Sequence, residues 1–195
     1  MRLVFATHNR NKFQEVKKLI PKHIELISLE EIGCFEEIPE TGNTLQENAQ
    51  IKADFVARNY KIPCFSDDTG LLVNALNGAP GVYSARYAGE EKSAEKNMEK
   101  LLKELQNKED RSAHFETVIA LALHTKKYFF SGVVNGTITY KKQGSKGFGY
   151  DPIFQPEGFG QTFAELPLEE KNKISHRALA IKQLIDFLHT MVPTN

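Results

Sequence analysis

Ser66-Asp67-Asp68-Thr69-Gly70 places two adjacent carboxylates and a hydroxyl between two apolar runs, Ile62-Pro63-Cys64-Phe65 and Leu71-Leu72-Val73. A carboxylate is costly to bury unless it is paired, hydrogen-bonded or bound to a metal. A polar cluster wedged between segments that seek the core therefore reads as a site. Gly70 lets the chain turn there, and the alternative to a site is an ordinary turn at a strand end. Glu40 supplies a third carboxylate upstream. Together Glu40, Asp67 and Asp68 form a hard oxygen set suited to Mg²⁺, which takes one or two protein carboxylates plus substrate phosphates. Such an ion supports hydrolysis of a phosphoanhydride, and one Asp can take the proton from the attacking water.

The cationic groups lie in separate stretches. Thr7-His8-Asn9-Arg10-Asn11-Lys12 joins an apolar run, Leu3-Val4-Phe5-Ala6, to a helical pattern at Phe13, Val16, Leu19 and Ile20 that Pro21 stops. A helix N-terminus offers free N–H groups to an anion, and Thr7, Asn9 and Lys12 add a hydroxyl, an amide and an ammonium. Few glycines and no Walker sequence exclude a P-loop. Thr44-Leu45-Gln46-Glu47 is a capping box that opens a helix running to about Tyr60. At about 100° per residue, Lys52 falls near the centre of that helix's apolar face, between Ala49 and Val56. A lysine there snorkels or meets a buried anion. Lys171 adds a further cation, and Arg86 follows the turn Asn77-Gly78-Ala79-Pro80-Gly81.

Gly144-Ser145-Lys146-Gly147-Phe148-Gly149-Tyr150-Asp151-Pro152 is a glycine-rich loop that sets Phe148 and Tyr150 as stacking platforms for a nucleobase. Ser175 is a natural N-cap for the last helix, whose apolar face carries Ala178, Ile181, Ile185 and Leu188. His176 and Arg177 then lie in its first turn, where basic residues oppose the helix dipole. Recognition of a carbonyl oxygen or a phosphate explains them better than stability does.

The elements behind these residues form an α/β chain. A strand spans 24–29, a helix Ser93–Gln106, and a long hairpin joins Ala113–Leu123 to Tyr128–Tyr140. The 195 residues, 41% hydrophobic and 26% charged, suffice for one compact core. Twenty-five basic residues balance 25 acidic ones, which argues against a general nucleic-acid binder. Cys34 and Cys64 match no metal spacing and no disulfide framework, as in a reduced cytoplasmic setting. No stretch has the length of a membrane span.

Taken together, these motifs resemble the inosine triphosphate pyrophosphatase family. The likeness runs through Thr7-His8-Asn9-Arg10-Asn11-Lys12, Glu40-Thr41-Gly42-Asn43-Thr44-Leu45, Ser66-Asp67-Asp68-Thr69-Gly70-Leu71, Gly78 to Tyr87, Gly147 to Pro152 and Ser175-His176-Arg177. It covers nearly the whole chain in order, although position 8 is His where many relatives carry Gly. The resemblance implies a single pyrophosphatase domain over 1–195. It implies an elongated mixed sheet with flanking helices, two lobes around a central substrate cleft, and a cytoplasmic homodimer. It implies Mg²⁺-dependent hydrolysis of ITP, dITP and XTP to the monophosphate and pyrophosphate. By likeness Asp68 is the general base and a metal ligand, beside Glu40. Thr7 to Lys12, Lys52, Thr69 and Lys171 contact the triphosphate or sugar, and Phe148, Gly149, Tyr150 and Asp151 with His176 and Arg177 form the base pocket. A donor such as Arg177 would pair the 6-oxo group of hypoxanthine and be left unpaired by adenine. Two other readings remain open: a nucleotide sensor without turnover, and a phosphatase that releases orthophosphate.

Overall fold

The computed structural model describes residues 1–191, so the last four positions of the expected 1–195 domain lie outside the described residues. The chain opens with strand β1 (Arg2–Phe5), helix α1 (Arg10–Leu19) and strand β2 (Glu25–Ile27). β2 and β1 pair in parallel, with α1 as the connection that parallel strands require. The Asn9 side chain caps α1 by accepting from the Lys12 amide. Helix α2 (Leu45–Tyr60) starts at the expected capping box, in which Thr44 and Glu47 satisfy each other's backbone N–H groups. Strand β3 (Cys64–Val73) follows, then the short β4 (Pro80–Gly81) and helix α3 (Ala94–Glu104), capped by Ser93. β5 (Ser112–Leu123) and β6 (Lys126–Ile138) form the long hairpin, turned by His124 and Thr125. β7 (Phe154–Pro156), α4 (Leu168–Ile174) and α5 (His176–Met191) complete the described chain. The mixed sheet has the order β2-β1-β3-β5-β6-β7, with β4 paired to β3.

The residues group into two compact units: Met1–Asp68, Thr117–Gly132 and the chain from Arg177 in the first, Thr69–Glu116 and Val133–His176 in the second. The first unit is three-layered. Strand period two sends Leu3, Phe5 and Phe65 to one face, with Val16 of α1 and Ile181 and Leu184 of α5. It sends Val4, Ala6 and Cys64 to the other, with Ala49, Ala53 and Val56 of α2. The second unit has one core, in which Met98, Leu101 and Leu105 of α3 meet Leu71, Val73, Phe115, Phe154 and Phe163.

Two features differ from what the sequence suggests. The alternative of a strand-end turn at Ser66–Gly70 falls, because the whole stretch lies inside β3 and Gly70 does not take a positive φ. β3 pairs with β1 just before the cluster, at Cys64 and Phe65, and with β4 just after it, at Leu71 and Leu72. Ladder pairing outweighs turn propensity here, and the carboxylates find side-chain partners instead. Helix α4 was not expected. Its signal is present, with Glu169 and Glu170 in the first turn and Lys171 and Lys173 in the last, as the helix dipole favours.

The capping box is expected to contribute measurably to the first unit. Thr44→Ala should lower unfolding stability by about 1 kcal/mol, read as a lower urea midpoint at unchanged slope.

Candidate active site

Within β3 the side chains of Asp67 and Asp68 must leave on opposite faces of the sheet. Asp67 shares the face of Phe65, under α1 and α5, and Asp68 shares the face of Cys64, under α2. Each carboxylate therefore meets a different set of cations, although the two are consecutive in sequence.

Asp67 is 1% exposed. Its Oδ1 accepts from Lys12 Nζ at 3.0 Å, and its Oδ2 accepts from Arg177 Nε at 3.0 Å. Arg177 is itself buried, and its Nη1 donates to Glu15 Oε2 at 2.6 Å. Lys12 and Glu15 come from α1, three residues apart and on one helix face. Burial works against the Asp67 anion. The cations of Lys12, Arg177 and Lys52 outweigh it and hold the carboxyl well below the usual carboxylate range.

On the opposite face Lys52 of α2 is buried, as its helical position predicts. Its ammonium donates to Glu40 Oε1 and lies 3.9 Å from Asp68 Oδ1. Burial raises the Asp68 pKa, and the negative charges of Glu40 and Asp67 add to it against the pull of Lys52 and Lys12. The Glu40 carboxyl shifts the other way. Burial would raise it, but contact with Lys52 lowers it. Lys52 likewise stays protonated, since Asp68 and Glu40 overcome its burial and raise its pKa. The backbone around this group is fixed by side chains. Ser66 Oγ donates to the Ala49 carbonyl, and Asn48 Oδ1 accepts from the Gly42 amide at 2.8 Å. Glu40 and Asp68 thus converge on one cation, a pair of oxygen donors of the kind that also holds a divalent ion. Among the described residues no group of three or more His, Cys, Asp or Glu converges in that way.

The other residues of the first expected loop are more exposed. Thr7 Oγ1 accepts from the Asn9 amide, His8 Nε2 lies 2.9 Å from the Glu36 carbonyl, and Arg10 reaches Glu30 at 3.5 Å. Asn11 is exposed, and Lys12 turns inward to the Asp67 carboxylate.

The second unit carries its own buried pair. Asp151 Oδ2 accepts from Lys171 Nζ at 2.6 Å and from the Phe148 amide at 2.8 Å. Gly147 has φ +73°, and a Cβ there would fall 2.0 Å from the same oxygen, so only glycine fits. The ammonium of Lys171 lies 5.2 Å from the centre of the half-buried Phe148 ring. Gly149 is left-handed too, at φ 64°, with open space where a side chain would sit. Tyr150 departs from its expected role as a stacking platform. It is a core residue, and its hydroxyl donates to the Ser84 carbonyl at 2.9 Å. His176 is also buried, stacked on Phe115 at 4.6 Å between ring centres. Arg86 is half-buried, 5.2 Å from the Tyr83 ring, on a turn that Asn97 holds through the Ser84 and Ala85 carbonyls. Thr69, the first residue of this unit, is half-buried in β3.

Arg177 pairs with two buried carboxylates, and that ion pairing also accounts for a basic residue in the first turn of α5 against the helix dipole. Glu15 is the member of the site that sequence reasoning missed. The signal was a charged residue one helical turn from Lys12 on the buried side of α1, the same signal that singled out Lys52.

Comparison with known proteins places these features in context. The family model described as the Ham1 family matches residues 3–187. A dITP/XTP pyrophosphatase of Christiangramia forsetii is 59% identical over 188 residues, covering 96% of this chain and 99% of the relative. A dITP/XTP pyrophosphatase of Flavobacterium johnsoniae is 58% identical, with 96% and 98% covered. The structure of the Staphylococcus aureus Ham1 protein superposes with a TM-score of 0.90 at 42% identity, covering 98% of this chain and all of that one.

Removal of the charge on Asp67 should leave Lys12 and Arg177 buried without their shared anion. Asp67→Asn is expected to cost about 3–5 kcal/mol of unfolding stability. In the wild type a lowered carboxyl pKa stabilises the fold above the unfolded value of about 3.9, and that contribution is lost as pH falls further. Denaturation followed between about pH 5 and pH 2 should show a steep acid limb that is shallower in the Asn variant.

Proposed function

We propose, because this chain belongs to the Ham1 family, that it hydrolyses deaminated purine nucleoside triphosphates to the monophosphate and pyrophosphate. The motif resemblance and the names of the 59% and 58% identical relatives support the same activity. The observation that carries the chemistry is the contrast between two neighbouring carboxylates. Asp67 is locked as an anion between Lys12 and Arg177, whereas Asp68 has a raised pKa and shares Lys52 with Glu40.

A general base works best when its pKa lies near the operating pH, which favours Asp68 over Asp67 for taking the proton of the attacking water. Asp67 acts through its partners. It holds the Lys12 ammonium in place at the N-terminal turn of α1, where Thr7 and Asn9 add polar groups for a phosphate. Glu40 and Asp68 are the residues that would hold Mg²⁺, as two carboxylates with phosphate oxygens completing the shell. The ion, when bound, neutralises charge on the phosphate oxygens. Lys52 is positioned to share that task.

Phe148 to Asp151, with Lys171 and His176, are proposed to serve the base. Asp151 and Gly147 fix the loop, and Phe148 is the ring in it placed for stacking. Selectivity then follows from chemistry: a donor set against a 6-oxo group is left unpaired by the amine of adenine, a mismatch that discriminates strongly. Arg177 enters this scheme through Asp67 and Glu15. We place the whole chain as one pyrophosphatase domain, working in the cytoplasm as a homodimer, as the resemblance implies; two buried free thiols fit a reduced compartment.

Product analysis with ITP and ATP, with and without Mg²⁺, tests this reading. ITP should give IMP and pyrophosphate, ATP should react at least about 100-fold more slowly, and chelation should stop turnover. Asp68→Asn should lower kcat by about 10²–10⁴. Release of orthophosphate would instead make the protein a phosphatase, and ITP binding without turnover would make it a sensor.

A further inference from the structure

Lys52 stands in an unusual place for a phosphate-binding lysine. It is rooted on the inward face of α2, it is 8% exposed, and its ammonium donates to Glu40 and lies 3.9 Å from Asp68. The two anions that would hold a metal thus already share a cation that belongs to the chain. Asp68 is buried and Glu40 half-buried, and two like charges gathered on one ammonium would repel without it, so the ammonium is their counter-ion in the folded protein.

We propose that Lys52 is a resident stand-in for the divalent ion, blocking the Glu40–Asp68 pair until a nucleotide draws its ammonium away. The inference rests on the reading of Glu40 and Asp68 as metal ligands. Its physical basis is like-charge repulsion. A divalent ion on these oxygens would sit close to a positive charge in a poorly screened place, where such repulsion is strong. A triphosphate offers the ammonium another anionic partner, and the four-carbon stem is flexible enough to reach for it. Metal and nucleotide then favour each other's binding by the same factor, as linkage requires. The free protein takes up metal weakly and keeps its carboxylates neutralised in the meantime.

The test is Mn²⁺ binding to nucleotide-free protein, followed by electron paramagnetic resonance and by Mn²⁺-dependent thermal melting. The proteins compared are wild type, Lys52→Met, Lys52→Arg and Glu40→Gln. Lys52→Met removes the charge at similar volume, and it should bind Mn²⁺ at least about tenfold tighter than wild type. It should melt lower than wild type without metal and gain more from Mn²⁺. Lys52→Arg keeps the cation and should show no such gain. Glu40→Gln should bind Mn²⁺ more weakly. If Lys52→Met is folded only with Mn²⁺, the metal dependence of its refolding supports the proposal. If Lys52→Met binds no tighter, or if Mn²⁺ does not restore its fold, the stand-in role is overturned while weakened binding by Glu40→Gln leaves the metal pair intact. If Glu40→Gln binds Mn²⁺ as well as wild type does, the metal assignment itself falls.

Discussion

Two carboxylates that follow one another in a strand cannot look the same way. The structure depends on that constraint at Asp67 and Asp68. The pleat sends one toward α1 and α5 and the other toward α2, and each buried anion then requires its own cations. Lys12 and Arg177 answer the first, and Lys52 answers the second together with Glu40. Three helices and one strand are thereby tied by charge as well as by apolar contact. The difference in partners is also what separates the two acidities. The cations beside Asp67 lower its pKa, whereas burial and the neighbouring acids raise that of Asp68 against the pull of Lys52 and Lys12.

The second unit solves a similar problem at smaller scale. Asp151 accepts from Lys171 and from the Phe148 amide, and the loop before it must come so close that position 147 has no room for a side chain. The neighbouring turn at Ser84–Arg86 is pinned by Tyr150 and Asn97. In both units a loop with candidate site residues is held by polar contacts to its backbone.

Much of this was legible in the sequence, for reasons that differ from residue to residue. Lys52 was found because a charge at the centre of an apolar helix face has few explanations. The α2 capping box, the β5–β6 hairpin and the strand–loop–helix opening were found because local pattern and tertiary structure agree there. The Asp67-Asp68 stretch is ambiguous because turn-forming residue types sit in a strand whose pairing partners lie elsewhere in the chain. Tyr150 reads as a stacking platform because nothing local shows that Ser84 accepts its hydroxyl. Arg177 illustrates the limit most clearly. Its partners Asp67 and Glu15 are 110 and 162 residues away, and no window of sequence contains all three.

That separation has a consequence for the making of the protein. The ribosome releases Glu15 and Asp67 first, and Arg177 follows 110 residues after Asp67. At a synthesis rate of about 5–20 residues per second, the 110 residues between Asp67 and Arg177 take roughly 5–20 seconds to appear. During that interval the nascent first unit has its acids and Lys12 but lacks α5. Translation therefore times the closure of this charge network.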